Sequence, residues 1–142
     1  MCNENNSSNC IADILNVINI LQQHASCGES CLDTCDRGFL GCNVSTLGCN
    51  TRPVMLYTCN NTAWQMPTTK ENVNCSDEGS TCSSVFRVEK IDGNCCTFRV
   101  LAENPDTTET NIPYVATNSF FTMNLNCICG LKCLNDTYVE CI

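Results

Sequence analysis

The chain has 142 residues, of which 16 are cysteine, and its 15 acidic against 7 basic residues give a formal net charge of −8 at neutral pH. This length suits one hydrophobic core, so we expect a single domain. An acidic chain without a basic run is not expected to bind nucleic acid, because contact with a phosphate backbone requires clustered cations. No apolar run approaches the roughly 18 residues needed to span a bilayer, so membrane insertion is not expected either.

The cysteine content is the dominant feature of the composition. It exceeds the roughly 8–10% at which a short chain indicates a cross-linked scaffold. Residues 1–9 contain neither the basic residue nor the apolar segment of a secretory signal, yet a reducing cytosol does not preserve disulfides. Three interpretations reconcile these observations: the thiols bind metal, a leader preceded residue 1, or the protein is made inside a cell that later opens and lets it oxidise.

The first predicted element is a helix over residues 10–23, with Asn9 or Ser8 as its N-cap. Its apolar residues recur at helical spacing: Ile11, Ile14, Leu15, Ile18 and Leu21. Val17 and Ile20 widen the apolar surface beyond one stripe, so they face either the rest of the domain or a partner subunit. We expect residues 1–26 to form an N-terminal segment that carries this helix and residues 27–142 to form a cysteine-rich β domain.

The clearest strand signal is a hairpin over residues 85–101 that turns at residues 92–94. A three-residue loop places Val88 opposite Phe98, with apolar side chains on one face and charged ones on the other. A two-residue loop would place Val88 opposite Thr97 and break that pattern. We therefore predict the three-residue loop.

Further strands are predicted for Val54–Tyr57, which Pro53 introduces, and for the alternating segment from Phe121 to Cys129. Residues 64–78 are polar and predict an exposed connection. Several short strands with one helix predict a mainly β fold, namely a small single-domain, disulfide-rich, β-sandwich-like fold with one N-terminal helix.

The sequence does not indicate an enzyme. A cysteine hydrolase needs a positioned base, and the only histidine, His24, follows the helix, where it more often stabilises the helix end. Phosphate-binding, dinucleotide-binding and metalloprotease motifs are absent. The close cysteine spacings are Cys27-x-x-x-Cys31-x-x-x-Cys35, Cys95-Cys96 and Cys127-x-Cys129-x-x-x-Cys133. None is the paired C-x-x-C of a zinc site, so we expect no catalytic residue, cofactor or metal, and a zinc-stabilised protein is the rival interpretation.

All 16 cysteines are candidates for disulfide bonds. Because 16 is an even number, complete pairing within the chain is one possibility, and the connectivity does not follow from the sequence. The cysteines near the chain ends are the predicted links between subunits: Cys2, Cys10, Cys133 and Cys141. The other candidates are Cys27, Cys31, Cys35, Cys42, Cys49, Cys59, Cys75, Cys82, Cys95, Cys96, Cys127 and Cys129.

Three segments resemble the CotY/ExsY/CotZ family of cysteine-rich spore coat and exosporium proteins: Asn50–Thr58, Val85–Glu89 and Asn124–Leu134. The N-terminal helix followed by Cys27 and Cys31 is similar to that family as well. The resemblance spans most of the chain, and its most specific part is the F-R-V-E strand combined with the C-x-C-x-x-x-C-L ending.

The resemblance implies a non-enzymatic structural protein that self-assembles into a two-dimensional, often hexagonal, array held by disulfides. Its expected partners are other copies of the chain, as a hexamer or higher array, and other spore coat or exosporium proteins. The resemblance also implies synthesis in the mother-cell cytoplasm without a signal peptide and placement at the spore surface, followed by oxidation. Two alternatives stay open: a secreted disulfide-rich binding domain, and a subunit of a spore surface appendage.

Overall fold

The computed structural model describes residues 9–23, 49–76, 79, 81–108, 112–140 and 142. Within these residues one α-helix, α1 (Cys10–Gln23), precedes the strands. The strands are β1 (Val54–Tyr57), β2 (Met66–Pro67), β3 (Cys82–Ser83), β4 (Val85–Asp92), β5 (Cys95–Glu103), β6 (Tyr114–Asn124) and β7 (Gly130–Cys133). The predicted mainly β fold with one N-terminal helix is confirmed.

Helix α1 occupies the predicted range, and Asn9 is its N-cap. The side-chain Oδ1 of Asn9 accepts hydrogen bonds from the backbone N–H groups of Ile11, at 3.0 Å, and Ala12, at 3.2 Å. These contacts satisfy two of the N–H groups that have no partner within the helix. The helix buries Leu15 and Ile18 completely, on the face that packs against the sheet.

Five strands form one antiparallel sheet in the order β6-β5-β4-β1-β7, and β2 and β3 form a separate two-stranded sheet. The register aligns apolar side chains in rows across one face of the larger sheet, through the pairs Val54 with Phe86, Phe86 with Val100, Val88 with Phe98, and Phe98 with Phe121. Phe121 stacks on Phe98 with 5.3 Å between ring centroids. The helix covers this face, so the core lies between α1 and the sheet.

The β4–β5 hairpin has the predicted pairs but a different turn. Asp92 pairs with Cys95, so the loop contains only Gly93 and Asn94. Gly93 has a φ of 60°, which suits the first loop position of a type II′ turn. A β-bulge at Glu89 places one extra residue in β4, so that Val88 still pairs with Phe98 although the loop is one residue shorter than predicted. The three-residue loop was therefore a wrong prediction, because it did not allow for an extra residue within the strand.

Strand β6 ends earlier than the alternating pattern predicted. It stops at Asn124, and a 3-10 helix (Leu125–Cys127) follows. The side-chain Oδ1 of Asn124 accepts a hydrogen bond from the backbone N–H of Asn126, at 3.0 Å, and caps this helix. The prediction of a strand that continues to Cys129 is wrong, because the asparagine side chain offers the backbone a competing partner.

The connection predicted as exposed, residues 64–78, contributes to the fold. It contains β2, whose Pro67 is buried, and Trp64 and Met66 pack against the core cluster. Ser119 on β6 donates a hydrogen bond from its hydroxyl to the carbonyl of Pro67, at 2.7 Å, and so fixes the segment to the large sheet.

Two buried polar contacts join the helix and the C-terminal segment to the sheet. Gln22 donates from Nε2 to the carbonyl of Val88, at 2.8 Å, and accepts at Oε1 from the backbone N–H of Arg52, at 3.0 Å. The guanidinium of Arg52 forms a two-pronged salt bridge with Asp136, at 2.7 Å and 3.0 Å. Both groups are buried, so the segment that follows β7 is held by charge as well as by packing.

Candidate functional site

The cysteines of the described residues fall into bonded, exposed and buried sets. Cys59 is bonded to Cys129, with 4.9 Å between the Cα atoms, and Cys75 is bonded to Cys82, with 5.8 Å. Cys127 and Cys133 are disulfide-bonded as well. The cysteines Cys2, Cys27, Cys31, Cys35, Cys42 and Cys141 lie outside the described residues, so what was predicted for them stays a prediction.

The Cys59–Cys129 disulfide fixes one end of the sheet covalently. It joins the segment after β1 to the segment before β7 across a sequence separation of 70 residues. Closing a loop of that length lowers the conformational entropy of the unfolded chain, and this raises the free energy of unfolding by about 4 kcal/mol. The Cys75–Cys82 bond spans only 7 residues and contributes about 2.5 kcal/mol on the same basis. The protomer is therefore a domain that is cross-linked by disulfides within the chain, and β7 is its most tightly fixed edge.

Cys133 is the last residue of β7, and it was predicted to link subunits. In the single chain it is disulfide-bonded. A link between subunits through Cys133 would require exchange of that bond, and it stays a prediction.

Two thiols of the described residues, Cys10 and Cys95, are free and exposed to solvent. Cys10 is the first residue of α1, and Cys95 is the first residue of β5, directly after the β4–β5 turn. The helix N-terminus lies beside that turn, since Asn9 and Asp13 line one cleft together with Asn94. Both exposed thiols therefore lie at the same end of the domain, which we call the thiol end.

The thiol end is held together by hydrogen bonds between its three segments. The side chain of Asn9 donates to that of Asn126 in the 3-10 helix, at 3.1 Å. The backbone N–H of Leu125 donates to the carbonyl of Asn94 in the turn, at 2.7 Å. The helix N-terminus, the turn and the 3-10 helix thus form one connected surface, and the thiols on it have fixed positions.

Cys96 is adjacent in sequence to Cys95 but lies in the core, with 0% of its surface exposed. Burial raises the pKa of the Cys96 thiol to about 12, so the reactive thiolate is not formed near neutral pH. Successive side chains of a strand point to opposite faces, which is why one thiol of the doublet is inert and the other is accessible. Cys49 is also buried, with 6% of its surface exposed.

The importance of Cys95 was missed by reasoning from the sequence, which grouped it with the other candidate cysteines. A signal was present: the alternation that places Phe98 inside also places Cys96 inside and Cys95 outside. Cys10 was predicted as a link between subunits, and its exposure at the start of the helix is compatible with that prediction.

The face of the large sheet opposite the helix carries a charged network. Glu89 lies between two arginines, with 2.5 Å to Nη1 of Arg87 and 3.4 Å to Nε of Arg99. The guanidinium of Arg99 stacks over the ring of Phe120 at 4.6 Å from the centroid. Phe120 is 47% exposed on edge strand β6, so this cation–π contact holds an aromatic ring at the surface.

Metal-binding clusters and membrane-spanning helices are absent from the residues that the structure describes. In residues 9–23, 49–76, 79, 81–108, 112–140 and 142, no three His, Cys, Asp or Glu side chains cluster where they could hold a metal ion. No helix among the residues that the structure describes has the length and apolar character needed to cross a bilayer.

Comparison with known proteins identifies the family. The family model for spore coat protein Z matches residues 1–113, which extend from the N-terminus to the residue before β6. No curated protein and no solved structure matches the chain. The resemblance inferred from the sequence motifs is confirmed by the family match, and it indicates a structural role in the spore coat, at the spore surface. The chain belongs to the spore coat protein Z family.

Proposed function

We propose that the protein is a self-assembling subunit of the outer spore layers, whose copies form a two-dimensional array that disulfides between chains make permanent. The observation that carries this proposal is the pair of exposed free thiols, Cys10 and Cys95, at one end of a domain that is already stapled internally. The partners are other copies of the chain, as a hexamer or larger array, and other coat and exosporium proteins.

The number of exposed thiols decides what kind of assembly is chemically accessible. One thiol per chain can only join two copies, whereas two thiols per chain allow each copy to be bonded to two others. Each bond forms when two thiols lose two protons and two electrons to an oxidant such as molecular oxygen. Two links per subunit support a closed ring or, where the repeated contact does not close on itself, a continuous chain, and a further contact between such assemblies extends them into a two-dimensional array.

The internal bonds and the exposed thiols have separate roles in this proposal. The Cys59–Cys129 and Cys75–Cys82 bonds lie within one chain and stabilise the protomer. Bonds through Cys10 and Cys95 would join protomers, so that the subunits separate only on reduction and not on dilution. The terminal Cys2 and Cys141, together with Cys133 after exchange of its bond, are further proposed links.

The proposal is tested by the double variant Cys10→Ser/Cys95→Ser. Wild-type protein, oxidised in air, should form species on a non-reducing gel that resist heat and detergent and disappear with reductant. In a Cys2→Ser/Cys141→Ser background, which removes the two terminal candidates, we expect the double variant to lose most of these species and each single variant to stop mainly at dimers. The matched control is Cys75→Ser/Cys82→Ser, which also removes two thiols but should keep the oligomers, because that bond lies within one chain.

Negative-stain electron microscopy with and without reductant gives the second readout. Sheets or rings that survive heat and fall apart with reductant agree with the proposal. Oligomers that persist undiminished in the double variant would exclude the thiol end as the link. Dispersed wild-type monomers in both conditions would overturn self-assembly and favour the secreted binding domain.

A further inference from the structure

The two edges of the five-stranded sheet differ in how well they are protected from pairing with another strand. Edge strand β7 is short, carries the exposed Lys132, and is fixed by the disulfide of Cys129 just before it. Short length and an outward lysine are features by which natural sheets block edge-to-edge pairing. Edge strand β6 has 11 residues and contains neither a charged residue nor a proline. Only the β6 edge lacks these protective features.

The free part of β6 is its second half. In the first half, the backbone N–H of Ser119 already donates to the side-chain Oγ1 of Thr117, at 3.1 Å, and the hydroxyl of Ser119 donates to the carbonyl of Pro67, at 2.7 Å. The pairing with β5 is irregular there and becomes regular again from Phe120 onward. Within the described residues, strand β5 is the only strand that pairs with Phe120–Asn124, so the outer side of this segment is an unpaired edge.

The charge of the chain favours a second copy as the occupant of this edge. With a formal net charge of −8, two copies repel each other over most approaches. The segment Phe120–Asn124 carries no charge, so it allows close approach without placing like charges opposite each other. An antiparallel edge is also self-complementary across a two-fold axis, because each copy presents the same donors and acceptors to the other.

We propose that two copies pair through Phe120–Asn124 in antiparallel fashion, with the two-fold axis at Thr122, and so join two five-stranded sheets into one. This contact deepens the proposed self-assembly and rests on it. In this register Thr122 of one copy faces Thr122 of the other on the polar face. On the core-side face Phe121 lies opposite Met123 of the second copy, which allows sulfur–aromatic contact. Five residue pairs make a small interface, so the association is weak and reversible.

The edge contact and a Cys95–Cys95 disulfide must involve different neighbours. Cys95 pairs with Asn124 inside the sheet, one strand in from the edge. In the proposed dimer the two copies of Cys95 are separated by three strand spacings of about 4.8 Å and four residues of about 3.4 Å, hence about 20 Å apart. A disulfide requires Cα atoms within about 7 Å. A Cys95–Cys95 disulfide therefore joins a copy to a third one, and the two contacts together extend the assembly beyond the dimer.

The test uses sedimentation equilibrium of a protein in which Cys2, Cys10, Cys95 and Cys141 are all replaced by serine, so that the internal disulfides are retained and these proposed links between subunits cannot form. We expect a reversible monomer–dimer equilibrium. Thr122→Lys should weaken it about fivefold, because like charges then face each other across the axis. The matched control is Asn16→Lys on the exposed face of α1. It adds the same charge to an acidic chain and should leave association unchanged or slightly stronger.

Mixing variants tests the register itself. Thr122→Lys and Thr122→Glu, each weak alone, should associate with each other about as well as the unsubstituted edge. A second measurement needs no substitution at the edge: amide hydrogen exchange in residues 120–124 should slow as protein concentration rises, whereas exchange in β7 should not change. This measurement decides the question if Thr122→Lys fails to fold by circular dichroism.

Several results would overturn the edge contact. They are a monomer at all concentrations up to about 1 mM, an effect of Thr122→Lys no larger than that of Asn16→Lys, or exchange in residues 120–124 that does not depend on concentration. Each leaves the covalent assembly untouched, because reductant-sensitive oligomers of the wild-type protein are measured separately on gels. If those oligomers instead persist when Cys10 and Cys95 are replaced, while the reversible dimer still forms, only the disulfide proposal is refuted.

Discussion

Replacing Asp136 with asparagine removes a counter-charge of a buried guanidinium. The Arg52 side chain is 2% exposed and the Asp136 side chain 8%, and two contacts of 2.7 Å and 3.0 Å join them. Breaking a buried pair from one side costs about 3–5 kcal/mol, because the remaining charge stays out of water. A domain of this kind is stable by about 5–15 kcal/mol, so we expect Asp136→Asn to remove a large part of the free energy of unfolding.

Urea denaturation of the oxidised protein, followed by far-ultraviolet circular dichroism, measures this change. The matched control is Glu89→Gln, which removes a carboxylate from a more exposed network, where Glu89 is 21% exposed. More exposed pairs contribute little, so we expect a loss of about 1 kcal/mol or less. Replacing both partners, as Arg52→Met with Asp136→Leu, should recover most of the loss, because no unpaired charge remains. If Asp136→Asn costs no more than Glu89→Gln, the buried pair does not fix the C-terminal segment.

Four further predictions concern the thiols, the core and the helix cap. In the folded protein at pH 8, iodoacetamide should modify Cys10 and Cys95 but should reach Cys96 only after denaturation, as measured by peptide mass spectrometry; equal labelling of all three would contradict the assigned burial. Because the folded pKa of Cys96 lies above its unfolded value, the free energy of unfolding should fall as pH rises from about 9 to 12; a Cys96→Val variant with the same pH dependence would show that another group causes the decline. Phe98→Ala should lower the free energy of unfolding by about 3–5 kcal/mol in urea, since the ring is fully buried, and a loss below about 1 kcal/mol would mean that the core repacks. Asn9→Ala should cost about 1 kcal/mol through loss of two cap hydrogen bonds, in addition to the loss of the bond to Asn126, whereas Asn9→Ser should retain the cap contribution in the same assay.

The elements set by local periodicity were predictable from the sequence. The helix at residues 10–23 follows from apolar residues at helical spacing and an asparagine able to cap it, and both are properties of a short stretch of chain. The cross-strand pairs of the hairpin follow from the alternation of apolar residues. The bulge at Glu89 was not predictable in this way, because an extra residue in a strand leaves no mark on composition and is visible only once both the turn and the pairs are known.

The candidate site was less predictable, because it depends on which segments meet in space. The Cys59–Cys129 bond joins residues separated by 70 positions, and many other pairings agree equally well with the spacing of the cysteines. That Cys10 and Cys95 share one end of the domain follows from the packing of the helix N-terminus against the turn, which involves residues more than 80 positions apart. The exposure of Cys95 was the one part of the site that strand alternation could have identified.

The fixed edge at β7 limits what the open edge at β6 can build. A sheet with two unprotected edges offers a template for strand addition on both sides, which is a hazard for aggregation into cross-β fibrils. Here only one edge of the sheet is open to strand addition. In the proposed contact a strand is added at β6, but the short β7, with Lys132 and the adjacent disulfide, resists further addition. Growth of a layer must then proceed through side chains instead of backbone hydrogen bonds. Under the proposed assembly, a coat built from such units is a set of intact domains and not a continuous β-structure.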